Sequence, residues 1–430
     1  MFISLCIDKH QRLRRAFAQR MAITLAVVWM AAGASAQTTN SPPAQAPSLK
    51  QALDAAWQLS SSARAESNRR SELSAKERAV GSWMSGEPVA SIAHRTDRLN
   101  RNDGFREYEA EIEVPLWNPG VRGAAQADVA AQRQGFDGQS ALNKLKLAGD
   151  LRVLAATAAT AQVELDLNKR KLLDINLLAQ DLSRRVKAGE NARVNGLQAQ
   201  VLVQQAQAAI ANADSQLARL QNQWRSLTGL ATIAPLDESL SGLASNAATN
   251  APISPDHPAL RYTQAQLGST RAKLALAEAD KRDAMSVGVG LGRERGNFAS
   301  ANETKLRIAL RIPLGGDNRN APRLAAARAE LDTAQAEADA VQRQLPADVA
   351  AATADLRAAR LAQSAAQERV RLSTKVQALI TKSWRLGDSD LPTRLRADNE
   401  QFEASLSLAR AAIDVQRAIA NLNQAHGVLP

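Results

Sequence analysis

The 430-residue sequence has a single cysteine, Cys6, so beyond its first few residues it has no disulfide, thiol nucleophile or thiolate metal site. Aromatic residues make up 3 % of the chain, too few for one thick globular core or for a nucleic-acid surface built on base stacking. Histidine occurs four times, as His10, His94, His257 and His426, with no second ligand at helical spacing. No nucleophile elbow, phosphate loop or Cys/His cluster is present. The glycines of Gly288-Val-Gly-Leu-Gly-Arg293 alternate within a strand-like segment and open no helix, so they do not form a dinucleotide loop. Catalytic residues, a cofactor site and a protein-held metal are therefore not expected, and the chain reads as a non-enzyme. Long apolar runs are also missing, and no window approaches the ~20 residues a transmembrane helix needs.

What is present begins with an export signal. Arg12, Arg14, Arg15 and Arg20 precede an apolar run from Met21 to Met30, and Ala34-Ser35-Ala36 supplies a small-residue cleavage site. Residues 1–36 read as a signal peptide, with Gln37 as the start of the mature chain. No cysteine follows the cleavage point, so no lipid anchor is indicated. The full-chain charge is +11, and residues 1–36 hold five basic and one acidic residue, which leaves +7. The remaining basic residues alternate with acids along helical segments, the mark of solvated helix faces rather than a nucleic-acid stripe.

An internal repeat organises the rest. Ile112-Glu-Val-Pro-Leu116 recurs as Leu310-Arg-Ile-Pro-Leu314, placing Pro115 and Pro313 198 residues apart. The same offset relates Val89 to Val287, Arg95 to Arg293, Gly189 to Gly387 and Gly229 to Gly427. Two copies of one structural unit follow. The first spans 49–229, with a helix, a β-hairpin over 87–117 and a long helical hairpin over 120–229. The second spans 256–430, with a helix, a hairpin over 285–314 and a helical hairpin over 321–427. Residues 37–48 and 230–255 read as linkers.

The hairpin strands are amphipathic at period two. Glu107, Glu109, Glu111 and Glu113 share one face, with Tyr108, Ala110, Ile112, Val114 and Leu116 on the other. In the second copy Lys305, Arg307 and Arg311 oppose Leu306, Ile308, Leu310, Ile312 and Leu314. Each strand has ~10 residues, the length of a tilted transmembrane strand. The expected barrel has the charged rows toward its lumen and the apolar rows toward lipid, with Trp83 and Trp117 at its rim. Polar loops over 95–105 and 293–302 close the hairpins. Four strands cannot close a barrel, and open edges in lipid would leave backbone groups unpaired, so several chains must share one.

The helices carry coiled-coil spacings. Leu172, Ile175, Ala179, Leu182 and Val186 form one seam; Ala206, Ile210, Ala213, Leu217, Leu220, Trp224 and Leu227 another. The second copy has Leu331, Ala334, Ala338, Val341 and Leu345, then Phe402, Leu406, Ala409 and Ile413. About 65 residues of helix span ~100 Å. Gly189 and Gly387 read as turns between antiparallel partners. Gly149 and Pro346 lie at nearly matching positions and predict a kink or belt at mid-helix.

Together these motifs resemble the TolC family of outer-membrane efflux factors. The residues that carry the likeness are Glu111-Ile-Glu-Val-Pro-Leu116, Leu310-Arg-Ile-Pro-Leu314, Arg185-Val-Lys-Ala-Gly-Glu190, Ser383-Trp-Arg-Leu-Gly-Asp388 and Asn421-Leu-Asn-Gln-Ala-His-Gly427. The segment 383–400, with Leu391-Pro392-Thr-Arg-Leu-Arg396, looks most like the heavy-metal (Czc-type) branch. The resemblance implies a mainly α fold with a transmembrane β portion: a homotrimer with a twelve-stranded barrel in a Gram-negative outer membrane and an α-helical barrel in the periplasm. It implies a passive exit duct working with a periplasmic adaptor and an inner-membrane pump, with metal cations as cargo. Gly189, Glu190, Gly387 and Asp388 would form the periplasmic tip that meets the adaptor. Some members narrow that tip with aspartates six and nine residues after the second-copy glycine. Here those positions are Thr393 and Arg396; Asp388, Asp390 and Asp398 remain near the tip, either as acids for a constriction or as helix-start charges. The rival from another class is a soluble periplasmic coiled-coil adaptor or scaffold, which needs no pair of membrane-length hairpins.

Overall fold

A computed structural model describes residues 46–240, 253–315 and 317–430. The expected signal peptide lies outside the described residues, as do most of the first linker and residues 241–252 of the second.

The described chain is mainly helical. Its elements are α1 (Leu49–Leu59), α2 (Ser61–Gly81), β1 (Val89–Thr96), β2 (Arg106–Leu116), α3 (Val121–Lys187) and α4 (Arg193–Thr228). These are followed by α5 (Pro258–Ala279), β3 (Met285–Arg295), β4 (Glu303–Arg311), α6 (Asp317–Leu386) and α7 (Leu391–Ala425). The order helix, hairpin, long helical pair occurs twice. In the first copy the leading helix is split: Ser60 caps the end of α1 and its Oγ accepts from Ala63 N at 3.1 Å to start α2. Among the described residues no helix is long and apolar enough to cross a membrane.

α3 has 67 residues and α6 has 70, so each is about 100 Å long at ~1.5 Å per residue. Both run without a break through Gly149 and Pro346, so neither residue marks an interruption of its helix. Gly149 instead gives room to a neighbour: a Cβ there would lie 3.1 Å from Gln424 Nε2. α3 packs on α4 and α6 on α7, and α3 also touches α7, joining the two pairs. The buried seams are built on alanine, which lets helix backbones approach closely. In α4, Ala206, Ala213, Leu217 and Trp224 are buried as the heptad predicts. In α7 the deepest seam is Ala397, Ala404, Ala411 and Ala418, and the predicted Phe402, Leu406, Ala409 and Ile413 stripe is only half-buried. Hydrophobic bulk alone points to the wrong stripe, because the tightest helix contact selects the smallest side chain.

The four strands form one antiparallel sheet in the order β1-β2-β3-β4. Its centre, β2 against β3, joins the two copies, pairing Glu111 with Gly290 and Ile112 with Val289. The strands run slightly further than expected: Arg95, Thr96 and Arg293 to Arg295 are strand, and the loops shrink to 97–105 and 296–302. β1 and β4 are the edges of this sheet.

Residues 230–240, expected as linker, are irregular but packed. Leu230, Ile233, Ala234 and Leu236 join Leu49, Leu53, Leu151 and Trp224 in one core, and Leu240 reaches the cluster around Leu356 and Leu422.

Candidate functional site

In an antiparallel sheet, residues paired across strands share a face. The register therefore puts Glu107, Glu109, Glu111 and Glu113 on the same face as Gly288, Gly290 and Gly292 of β3 and Lys305 and Arg307 of β4, and Arg311 joins them through its pairing with Ser286. The β3 glycines that resemble a nucleotide loop have a simpler function here. They leave no side chain between the acidic row of β2 and the basic row of β4, so carboxylates and guanidinium groups meet across β3. Arg307 pairs with Glu109, and Arg311 with Glu113 at 3.0 Å. Arg95 pairs with Glu107 at 3.3 Å, and Lys305 with Glu294 at 2.7 Å.

The other face is apolar and uncovered. Tyr108, Ile112, Leu306, Ile308 and Leu310 are each more than half exposed, Ile308 reaching 74 %. Val114 is half-buried, and Ile312 lies just beyond β4 and is exposed. Such a face, on a sheet with two open edges, is unusual for a soluble monomer. Trp83 is exposed at the end away from the loops, while Trp117 Nε1 donates to Ser82 O at 2.9 Å.

At the far end of the helices, Gly189 (φ 78°) and Gly387 (φ 87°) take the left-handed conformation that ends a helix. Glu190 N donates to Arg185 O at 2.9 Å and Asp388 N to Ser383 O at 3.0 Å, so both copies turn by the same motif. All four residues expected to form the tip are exposed. Asp390 is the N-cap of α7, accepting from Thr393 N at 3.0 Å, and the Thr393 hydrogen bonds hold its carboxyl below the usual aspartate range. Asp398 accepts from Gln377 Nε2 at 2.9 Å and lies 3.7 Å from Arg394. Arg396 is exposed on α7.

Sequence reasoning left three features unassigned. Trp384 is buried beside Leu178, Leu182, Ala199 and Leu391, with Arg185 and Arg394 over its ring at 5.7 and 5.8 Å. The matched turn motifs contain it, but a single tryptophan carries no periodicity. Lys171 lies 4.1 Å from the Phe402 ring centre and donates to Asn399 at 3.0 Å; burial lowers its pKa. Arg152, 2 % exposed, makes two bonds to Glu238 at 2.9 and 3.0 Å and donates to Val428 O. Asn423 also donates to Glu238, at 3.0 Å. This cluster ties residues 230–240 and the chain's end to mid-α3, at the level where a belt is predicted. An arginine between Leu151 and Val153 was the one available signal for it.

His257 and His426 are both buried. His257 Nδ1 accepts from Ala259 N at 3.1 Å, capping α5, and burial lowers its pKa.

This arrangement defines the class. A chain with a doubled hairpin-and-helix unit, a sheet charged on one face and bare on the other, and helices of about 100 Å has the fold of solved outer-membrane channels. The outer membrane protein VceC of Vibrio cholerae superposes with a TM-score of 0.71 at 14 % identity, over 88 % of this chain and 96 % of that one. The MtrE outer membrane channel of Neisseria gonorrhoeae gives 0.67 at 18 % identity, over 89 % of each. Residues 255–428 match the family model described as outer membrane efflux protein. Among curated relatives, the nickel-cobalt-cadmium resistance protein NccC of Alcaligenes xylosoxydans xylosoxydans is 26 % identical over 256 residues. That match spans 57 % of this chain and 57 % of NccC.

Proposed function

We propose that this protein is the outer-membrane duct of a tripartite efflux system. The observation that carries the reading is the sheet: four strands with an uncovered apolar face, a charged opposite face and two free edges. In hydrocarbon such a sheet is tolerable only if other chains complete it. Three copies would supply twelve strands, within the range of known barrels. The barrel sits in the outer membrane of a Gram-negative cell and the helices reach into the periplasm. Its lumen is lined by Glu107, Glu109, Glu111, Glu113, Lys305, Arg307 and Arg311. Tyr108, Ile112, Val114, Leu306, Ile308, Leu310 and Ile312 face lipid.

Transport energy comes from an inner-membrane pump, and a periplasmic adaptor meets the tip at Gly189, Glu190, Gly387 and Asp388. Exposed apolar side chains flank that tip on both helical pairs, Leu177 and Leu197 on one and Val376 and Leu379 on the other. They suit burial by neighbouring copies and by the adaptor. Thr393 and Arg396 replace the expected gate aspartates, and Asp390 and Asp398 are engaged within α6 and α7.

The cargo is heavy-metal cations, on the strength of the likeness to NccC. Deleting the gene in a host that retains the adaptor and pump should raise sensitivity to nickel, cobalt or cadmium and raise cell-associated metal. Unchanged tolerance and metal content would exclude this cargo.

A further inference from the structure

The apolar face of the sheet does not stay apolar to its end. Toward the loops the row formed by Ile92, Ala110, Leu291 and Leu306 gives way to one formed by His94, Tyr108, Arg293 and Thr304. The next row holds Thr96, Arg106 and Arg295. Arg106 and Arg295 are direct cross-strand partners, and Arg293 is the diagonal neighbour of Arg106. Like charges placed so are destabilising unless something lies between them. The opposite face of the same sheet matches its bases with acids, whereas among the described residues Arg106, Arg293 and Arg295 form no salt bridge. Arg295 donates to Gly104 O at 3.2 Å and lies 5.4 Å from the Phe298 ring. Arg106 and Arg293 are exposed. His94 stacks on Tyr108 at 4.3 Å beside them, an aromatic pair at the border between apolar and charged rows.

We propose that Arg106, Arg293 and Arg295 form a binding site for the phosphate of a membrane lipid whose acyl chains lie along Ile92, Leu291 and Leu306. The inference rests on the barrel reading above. Three observations on one face fit it. Guanidinium groups match phosphate oxygens in charge and in bidentate geometry. The row continues directly from the band that would contact hydrocarbon. The aromatic pair stands where an interfacial belt belongs. A free anion would need the arginines alone, whereas a lipid uses the arginines and the apolar rows together. A site at this height, facing outward, takes a phosphorylated lipid of the leaflet on the loop side, such as a phosphorylated glycolipid.

The test uses the full-length protein purified in a maltoside detergent, which contains no phosphate, and native mass spectrometry with added lipid A. The wild type should retain diphosphorylated lipid A at least about tenfold better than the dephosphorylated form, the scale expected from losing charge-assisted bonds. R106Q/R293Q should assemble as the wild type does and lose that preference. R106K/R293K, which keeps the charge but not the bidentate geometry, should retain part of it. Equal retention of the two lipid forms by the wild type would overturn the proposal without any variant. So would displacement of the lipid by excess inorganic phosphate, which would reduce the site to one for free anions. An assembled protein indifferent to lipid phosphate sinks this inference alone; a water-soluble monomer sinks the barrel reading as well.

Discussion

At the scale of single residues, the most consequential contact is the buried pair of Arg152 and Glu238. Each charge has lost most of its water, and the cost is offset only by the two direct bonds and the help of Asn423, Gln424 and Val428. The pair fastens an irregular segment to the longest helix of its repeat, so it links the two halves of the chain at mid-height. Glu238→Gln leaves a buried guanidinium uncompensated and should cost about 3–5 kcal/mol. Replacing both residues with methionine should restore most of that stability, since a well-packed apolar pair needs no compensation. Thermal unfolding of the two variants checks this; equal loss in both would mean that the segment is held by shape and not by charge. The turn glycines illustrate the opposite situation. Their positive φ is a backbone requirement, visible in the sequence because it recurs at the same offset.

At the scale of elements, the strands and the helices differ in how openly the sequence displays them. Period two holds through the middle of β2 and β4, departing at Ala309 in the charged row and at Arg106 and Thr304 toward the loops, so the residues sharing each face can be read from residue order. If the apolar face meets lipid, placing Arg at both Ile112 and Leu310 should cost about 2–4 kcal/mol each near mid-bilayer and block insertion. Outer-membrane fractionation of that variant is the measurement, and normal insertion would place those side chains away from lipid. β1 was harder to delimit, because Ala90, Ala93 and His94 blur its alternation and its pairing with β2 defines it. In α7 hydrophobic bulk points to Phe402 and Leu406, whereas the close contact is made through Ala397, Ala404 and Ala411. Contacts across long separations, such as Arg152 with Glu238 and Trp384 among the residues of α3 and α4, carry no local pattern. They could be seen only once the helices were in place.

At the scale of the molecule, the features that look like defects in one chain agree with one another. The sheet has two free edges and an uncovered face, and the helical pairs have apolar stripes near the tip. Each is a surface a soluble monomer would avoid, and each is satisfied by the same operation, the placing of further copies around a common axis. A soluble coiled-coil scaffold would account for the helices but leave the sheet unexplained. The charged face, with its cross-strand pairs over β3, would then line a wet passage in which charges of both signs are held in place.

The most direct test of that claim is the stoichiometry of the protein extracted from membranes, read by native mass spectrometry in detergent. A single species of three chains that leaves the membrane only with detergent is expected. A monomer that stays in solution without detergent would contradict it.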